Sequence, residues 1–174
     1  QRIASHLLCT GVFGLDLGAF TPFLWALRDR ERILDLFELT CGARLLYNYM
    51  WVGGLSHDIP VGFVESTYKF LDSFEPNIDE LENILAHNKI LVERSADIGV
   101  MPKDIAISYG VTGPNLRASG VKWDLRKNDP YSIYDRFEFD IPIGEGKKGT
   151  LGDCWDRFYV RILEMRESVK IIRQ

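Results

Sequence analysis

A single carboxylate, Asp16, stands among apolar neighbours in the stretch Gly14-Leu15-Asp16-Leu17-Gly18-Ala19-Phe20-Thr21-Pro22. An acid in such company is either a hydrogen-bonding brace for a turn or a tuned proton carrier. In a mainly apolar cavity, desolvation would raise its pKa and a nearby cation would lower it again, which suits a switchable proton site. Other chemistry-bearing residues offer less. His57 and Asp58 are neighbours in the loop-like Ser56-His57-Asp58-Ile59-Pro60, and adjacent loop residues seldom face each other, so a loop or cap role is expected. His6, His57 and His87 show no metal-ligand spacing. Cys9, Cys41 and Cys154 are odd in number and far apart, with no C-x-x-C pair. They predict no disulfide framework, a reduced cytosolic setting, and three small buried hydrophobes. Lys147 and Lys148 sit in the polar turn Gly144 to Gly149, which lacks the strand context and G-K-[ST] ending of a phosphate loop, so solvated side chains are expected.

The elements that must position Asp16 are helices. Ile3, Leu7, Leu8, Val12 and Leu15 fall at helical spacing over residues 2–15. Gly11 and Gly14 weaken that helix by up to about 1 kcal/mol each, and they admit close approach of a backbone or a ligand. Thr21 is the expected N-cap of the next helix, with Pro22 at its first position. That helix is predicted to run to about Arg44 on the stripe Phe23, Leu27, Arg30, Leu34, Phe37 and Cys41, with Arg28, Asp29, Glu31 and Arg32 on a solvated face. Residues 47–52 predict a short extended segment ended by Gly53-Gly54. A helix from Gly62 to Phe74 should break at Pro76, and Ile78, Leu81 and Leu85 carry the one after it. Shorter helices are expected over 90–96 and from Met101 to Gly110. Residues 111–150 are rich in turn formers, with Phe137 to Ile141 alternating like a strand. The last helix carries Trp155, Phe158, Ile162, Met165, Val169 and Ile172 as a core stripe, and Asp153 and Arg157 as an i,i+4 pair.

The fold class is therefore mainly α with a small β or irregular insert. At 174 residues, with 46% hydrophobic and 26% charged residues, the chain suffices for one domain with a real core. A net charge of -4 argues against general nucleic-acid affinity. No apolar run approaches the roughly 20 residues that span a bilayer, and no signal-peptide pattern opens the chain. The sequence starts without Met and stops inside a helical pattern, so residues 1–174 are expected to be a single domain and a fragment of a longer subunit, truncated at both ends.

An ordered set of strings carries more. Arg2 to Leu8 leads into Asp16-Leu17-Gly18-Ala19-Phe20-Thr21-Pro22, then Gly42-Ala43-Arg44, Gly53-Gly54, Asp58-Ile59-Pro60 and Asp97-Ile98-Gly99-Val100. Leu116 to Val121, Trp123 to Lys127, Pro130-Tyr131, Gly152 to Arg157 and Glu164 to Ser168 follow. Over essentially the whole chain this resembles the middle of the D subunit of the proton-pumping NADH:quinone oxidoreductase, respiratory complex I.

The resemblance implies a fold like the helical core of nickel–iron hydrogenase large subunits, without the nickel site. It implies a quinone pocket built against the subunit that holds the terminal iron–sulfur cluster, with no cofactor on this chain. Quinone is then the substrate, NADH and the iron–sulfur clusters belong to partner subunits, and the membrane is met only through the complex. The location implied is peripheral, on the cytoplasmic side of a bacterial inner membrane or the matrix side in mitochondria. The family's quinone-head ligands, a His and a Tyr, lie upstream of Gln1. Asp16 matches an Asp that contacts that His and couples quinone reduction to proton movement, and Val12 and Phe23 match the cavity lining. Where the family often has a His near the terminal cluster, Leu46 stands here. Arg117 and Arg126 are candidates for bracing acids at an interface. An equivalent subunit of a membrane-bound hydrogenase or other-donor dehydrogenase is an alternative. It would need C-x-x-C pairs outside this segment. A purely structural scaffold is another. The isolated fragment is expected to be inactive, with faces meant for partners exposed.

Overall fold

Helical spacing of apolar residues dominates the sequence, and a computed structural model describing all 174 residues is 61% helical, which establishes the mainly-α class. In chain order the elements are α1 (Arg2–Asp16), α2 (Phe20–Cys41), β1 (Met50–Trp51), β2 (Gly54–Leu55), α3 (Phe63–Leu85), α4 (Lys89–Ser95), α5 (Lys103–Ser108), α6 (Gly113–Ala118), α7 (Leu125–Asn128), a 3₁₀ turn (Tyr134–Arg136) and α8 (Cys154–Arg173). The strands form one antiparallel hairpin, Met50 opposite Leu55 and Trp51 opposite Gly54. No helix is long and apolar enough to cross a membrane.

One core joins α1, α2, α3 and α8 through Leu7, Ala26, Leu71, Phe74, Trp155, Phe158, Ile162 and Met165, among others. The expected stripe of the last helix is buried from Trp155 to Val169, and only Ile172 reaches solvent. Asp153 and Arg157 do not pair. Asp153 caps α8 by accepting from Asp156 N at 2.8 Å, and Arg157 donates to the carbonyls of Gly152 and Gly99.

Three boundaries differ from expectation for physical reasons. Helix α2 starts at Phe20 with Ala19 as N-cap, so Thr21 and Pro22 lie inside its first turn, where a missing N–H forfeits no helical bond. It ends at Gly42 (φ 72°), before Arg44, because a left-handed glycine stops the helix. Helix α3 runs through Pro76. Phe70, Leu71 and Phe74 before the proline and Ile78, Leu81 and Leu85 after it form one buried face. At about 1.5–3 kcal/mol for each side chain, that burial exceeds the roughly 3 kcal/mol cost of an interior proline.

The buried face of α2 is also rotated. Pro22, Ala26, Asp29, Ile33, Leu34 and Thr40 are its buried residues, while Phe23, Leu27, Arg30, Phe37 and Cys41 are half-buried. The cause is Gly11, where an added Cβ would sit 3.0 Å from Ala26 Cβ and 3.3 Å from Phe23 Cα; small residues let α1 and α2 approach along this line. Asp29, expected on a solvated face, is fully buried and accepts from Asn77 Nδ2 at 2.8 Å and Arg28 Nε at 3.2 Å. Gly14 faces Leu85 rather than a cavity.

Phe137 to Ile141 is extended, with Phe139 and Ile141 buried, yet it pairs with no strand. Its backbone is held by side chains of α8 and the C-terminus: Asp140 N donates to Glu167 and Glu138 N to Gln174, both at 2.8 Å. Further on, Gly146 N and Gly152 N each donate to Asp156 Oδ2 at 3.1 Å. The segment lies on a helix, so the alternation marks a buried face without a sheet.

Candidate functional site

An open groove of about 460 Å³ lies between α1 and α8. Helix α1 contributes Val12, Phe13, Asp16, Leu8, Cys9 and Thr10, and α8 contributes Cys154, Arg157, Phe158 and Arg161. The Phe13 and Phe158 rings stack at 5.2 Å and make the apolar wall. Val12 and Asp16 therefore share one groove, four residues apart on one helical face. Phe23 is not part of it. Its ring packs on the far side of α1, beneath Gly11 and beside Phe20 at 6.1 Å.

Asp16 ends α1 and is exposed, so the enclosing apolar cavity expected around it is not built by this chain. It shares the groove with two guanidinium groups, and neither of them is bound to a carboxylate. Arg157 donates to two carbonyls and lies 3.0 Å from Cys154 Sγ, and Arg161 donates to Arg157 O and to Asn115 Oδ1 at 3.0 Å. Cys9 is exposed and Cys154 half-buried in the same groove; Cys41 is half-buried elsewhere. All three thiols are free, and the expectation of burial fails for Cys9, which faces the open groove rather than the core.

Beyond Arg161 the two helices close on a buried charged network. His6 Nε2 lies 2.6 Å from Glu164 Oε2, and Arg117 Nε donates to Glu164 Oε1 at 2.5 Å. Arg126 donates to both oxygens of Asp124, at 3.1 and 2.9 Å, and Arg2 to Asp124 at 3.2 Å. His6, Glu164, Arg117, Asp124 and Arg126 are all buried. Burial holds the His6 imidazole below its ordinary pKa, against the raising effect of Glu164. Burial alone would raise Glu164, but hydrogen bonds from His6 and Arg117 outweigh it and hold the carboxyl below its usual range. At neutral pH a neutral His6 thus donates its Nε2 proton to an ionised Glu164. Asp124, likewise opposed by burial, is held low by Arg126.

Arg117 and Arg126 brace acids, as expected, but inside the chain rather than at an interface. Nothing in the sequence pattern singled out His6 and Glu164 for a role. The signal for them was present: a His on a helix face, and a Glu between Ile162 and Met165. The His57–Asp58 pair does no joint chemistry. His57 bonds Thr40 O and Ser56 Oγ, tying the hairpin to the end of α2, while Asp58 accepts from Ile59 N. Lys147 pairs with Glu145 at 3.0 Å. Leu46 is 91% exposed, on a loop with no titratable group in its place. No group of three or more His, Cys, Asp or Glu side chains is placed to hold a metal ion.

Strings far apart in the chain meet at the foot of α8, next to the groove. Cys154 N donates to Ile98 O and Met101 N to Gly152 O, each at 2.9 Å, and Asp153 accepts from Asp97 N at 3.0 Å. A family model for the respiratory-chain NADH dehydrogenase, 49 Kd subunit, matches residues 16–174. A NADH-quinone oxidoreductase D subunit of Cytophaga hutchinsonii is 58% identical over all 174 residues, and the D subunit of Chlorobaculum tepidum is 55% identical over the same span. The D subunit of Amoebophilus asiaticus is 53% identical, again over the whole chain. The chain spans 44% of the length of the first two relatives and 43% of the third. With family strings, helical class and similarity along its whole length in agreement, the chain belongs to the family of the 49 Kd subunit of respiratory-chain NADH dehydrogenase.

Proposed function

We propose that this chain is the middle of a D subunit of a proton-pumping NADH-quinone oxidoreductase, where it helps to build the site at which quinone takes electrons. The partners would be other subunits of the complex, chiefly the one holding the terminal iron–sulfur cluster. The subunit would sit peripherally, on the cytoplasmic side of a bacterial inner membrane or on the mitochondrial matrix side. NADH and the clusters would act in those partners, and quinone would be the substrate met here.

The observation that carries this reading is the groove that joins Val12 and Asp16 in a chain of this family. Asp16 would carry a proton at the mouth of the groove, and its exposure leaves it free to meet groups from beyond this segment. Val12, Phe13 and Phe158 supply apolar surface, and Phe23 supports α1 from behind. Arg157 and Arg161 supply positive charge that no carboxylate neutralises. The names of the relatives favour a quinone oxidoreductase over a membrane-bound hydrogenase.

Asp16→Asn in the assembled complex tests the assignment. Quinone turnover should fall while the complex still assembles and still reduces an artificial acceptor that takes electrons before the quinone site. Wild-type turnover in an assembled Asp16→Asn complex would refute the role of Asp16. Labelling by a photoreactive quinone analogue should fall near Val12 and Asp16; its absence there would favour a scaffold role.

A further inference from the structure

We propose that the open face of α1 and the Arg157–Arg161 edge of α8 seat an acidic, amphipathic segment of the same subunit, from outside residues 1–174. The inference rests on the reading of this chain as the middle of a longer subunit, and not on the role of Asp16.

From Ile3 to Leu15, α1 carries no Asp, Glu, Lys or Arg. Its inner face packs Ile3, Ala4 and Leu7 into the core, yet Ser5, Leu8 and Cys9 are exposed and Val12 is half-buried. Helix α2 shows the contrast, since its exposed positions include Glu31, Arg32, Asp35 and Glu38. A helix without charge on any side is built to be covered, because apolar surface left in water forfeits the gain of burial.

The facing edge of the groove sets the chemistry of the cover. Arg157 and Arg161 stand one turn apart on one face of α8, where like charges repel. Hydrogen bonds to the carbonyls of Gly99, Gly152 and Arg157 and to Asn115 Oδ1 fix both guanidinium groups without neutralising either. Arg2, Arg117 and Arg126, by contrast, each hold a carboxylate within residues 1–174. A carboxylate seated between Arg157 and Arg161 supplies the missing counter-charge through paired N–H donors. The chain spans 44% of the length of its relatives, so more than half of such a subunit lies outside it and can provide the segment. The His6–Glu164 contact and the Phe13–Phe158 stack make α1 and α8 antiparallel, so Cys9 stands level with Arg161 and Asp16 level with Cys154. The segment therefore closes the Cys9–Arg161 end of the groove and leaves the Val12–Asp16 end as the room for a substrate.

The Cys9 thiol, free and exposed here, serves as the reporter. The full-length subunit, purified without other subunits and without quinone, is treated with N-ethylmaleimide, and alkylation of Cys9 is followed by peptide mass spectrometry. Under the cover, Cys9 should react about 100-fold or more slowly than in denaturant, since only a local opening exposes it. Arg161→Glu sets like charges against the segment and should speed Cys9 alkylation about tenfold or more, with Cys41 unchanged. Arg161→Lys keeps the charge and should keep the protection. If Arg161→Glu also speeds Cys41, Arg161→Gln, which removes the charge without reversing it, takes its place. Cys9 alkylation in the full-length wild type as fast as in denaturant overturns the proposal. Protection that appears only with the other subunits assigns the cover to a partner, and protection that appears only with quinone assigns it to the substrate; either overturns a cover from the same chain. Wild-type protection in Arg161→Glu overturns the acidic character of the segment. Wild-type turnover in Asp16→Asn refutes the role of Asp16 and leaves the protection of Cys9 untouched, so the two failures are distinguishable.

Discussion

Replacing Glu164 by Gln measures what holds α1, α6 and α8 together. The change keeps the shape and removes one buried charge. Glu164 is 2% exposed and Arg117 4%, and their contact is 2.5 Å, so solvent does little to screen the loss. Breaking a buried ion pair from one side costs about 3–5 kcal/mol, because the surviving charge is left uncompensated. Arg117 keeps Trp123 O at 3.0 Å and has Asp124 at 3.9 Å, and Gln still offers an acceptor, which places the cost near the lower end, about 3 kcal/mol. In a full-length subunit, of which this chain spans 44% in the relatives, that is a fall in Tm of about 4 °C. Thermal unfolding of the full-length subunit at pH 7, followed by circular dichroism, reads it directly. The pH dependence follows from the same groups. His6 is held below its unfolded value of 6.5, so the unfolded chain binds the extra proton first and stability falls as pH drops from about that value towards the folded pKa. Glu164 is held below 4.5, so its contribution is present above that value and is lost as pH falls through its lower folded pKa. The wild type should therefore lose stability on acidification in two stages, and Glu164→Gln should lack the second. A Tm within about 1 °C of wild type at pH 7 would show that the network does not bear on folding.

Phe158→Ala removes a fully buried ring and half of the Phe13 stack, at a cost of about 3–5 kcal/mol by chemical denaturation. Gly144→Ala places a Cβ 1.9 Å from Ala118 O, a backbone atom that cannot swing aside, so a loss of about 3 kcal/mol or more and a lower soluble yield are expected.

The helices were legible because apolar residues recur at three- and four-residue steps, and the last helix shows this most plainly, with five of its six stripe residues buried. Break signals were less reliable. Pro76 reads as a stop only while its two flanking helices are treated alone; once they share a buried face, packing outweighs the local penalty. Phe137 to Ile141 shows the complementary limit, since alternation records which side chains are buried but not whether a strand or a helix lies alongside.

The candidate site divides in the same way. The family strings picked out Asp16 and Val12, and one groove holds both. The same strings put Phe23 in that lining, but the close α1–α2 crossing at Gly11 turns it to the other side. Sequence alone determined the helical class and the family, because both are written in the order of residues along the chain. Only the tertiary structure decided that His6 meets Glu164, because 158 residues separate them and no local pattern links the two. It also decided that Asp16 is exposed and Asp29 buried, since the burial of an acid depends on which neighbour packs over it and not on the residues beside it in the chain.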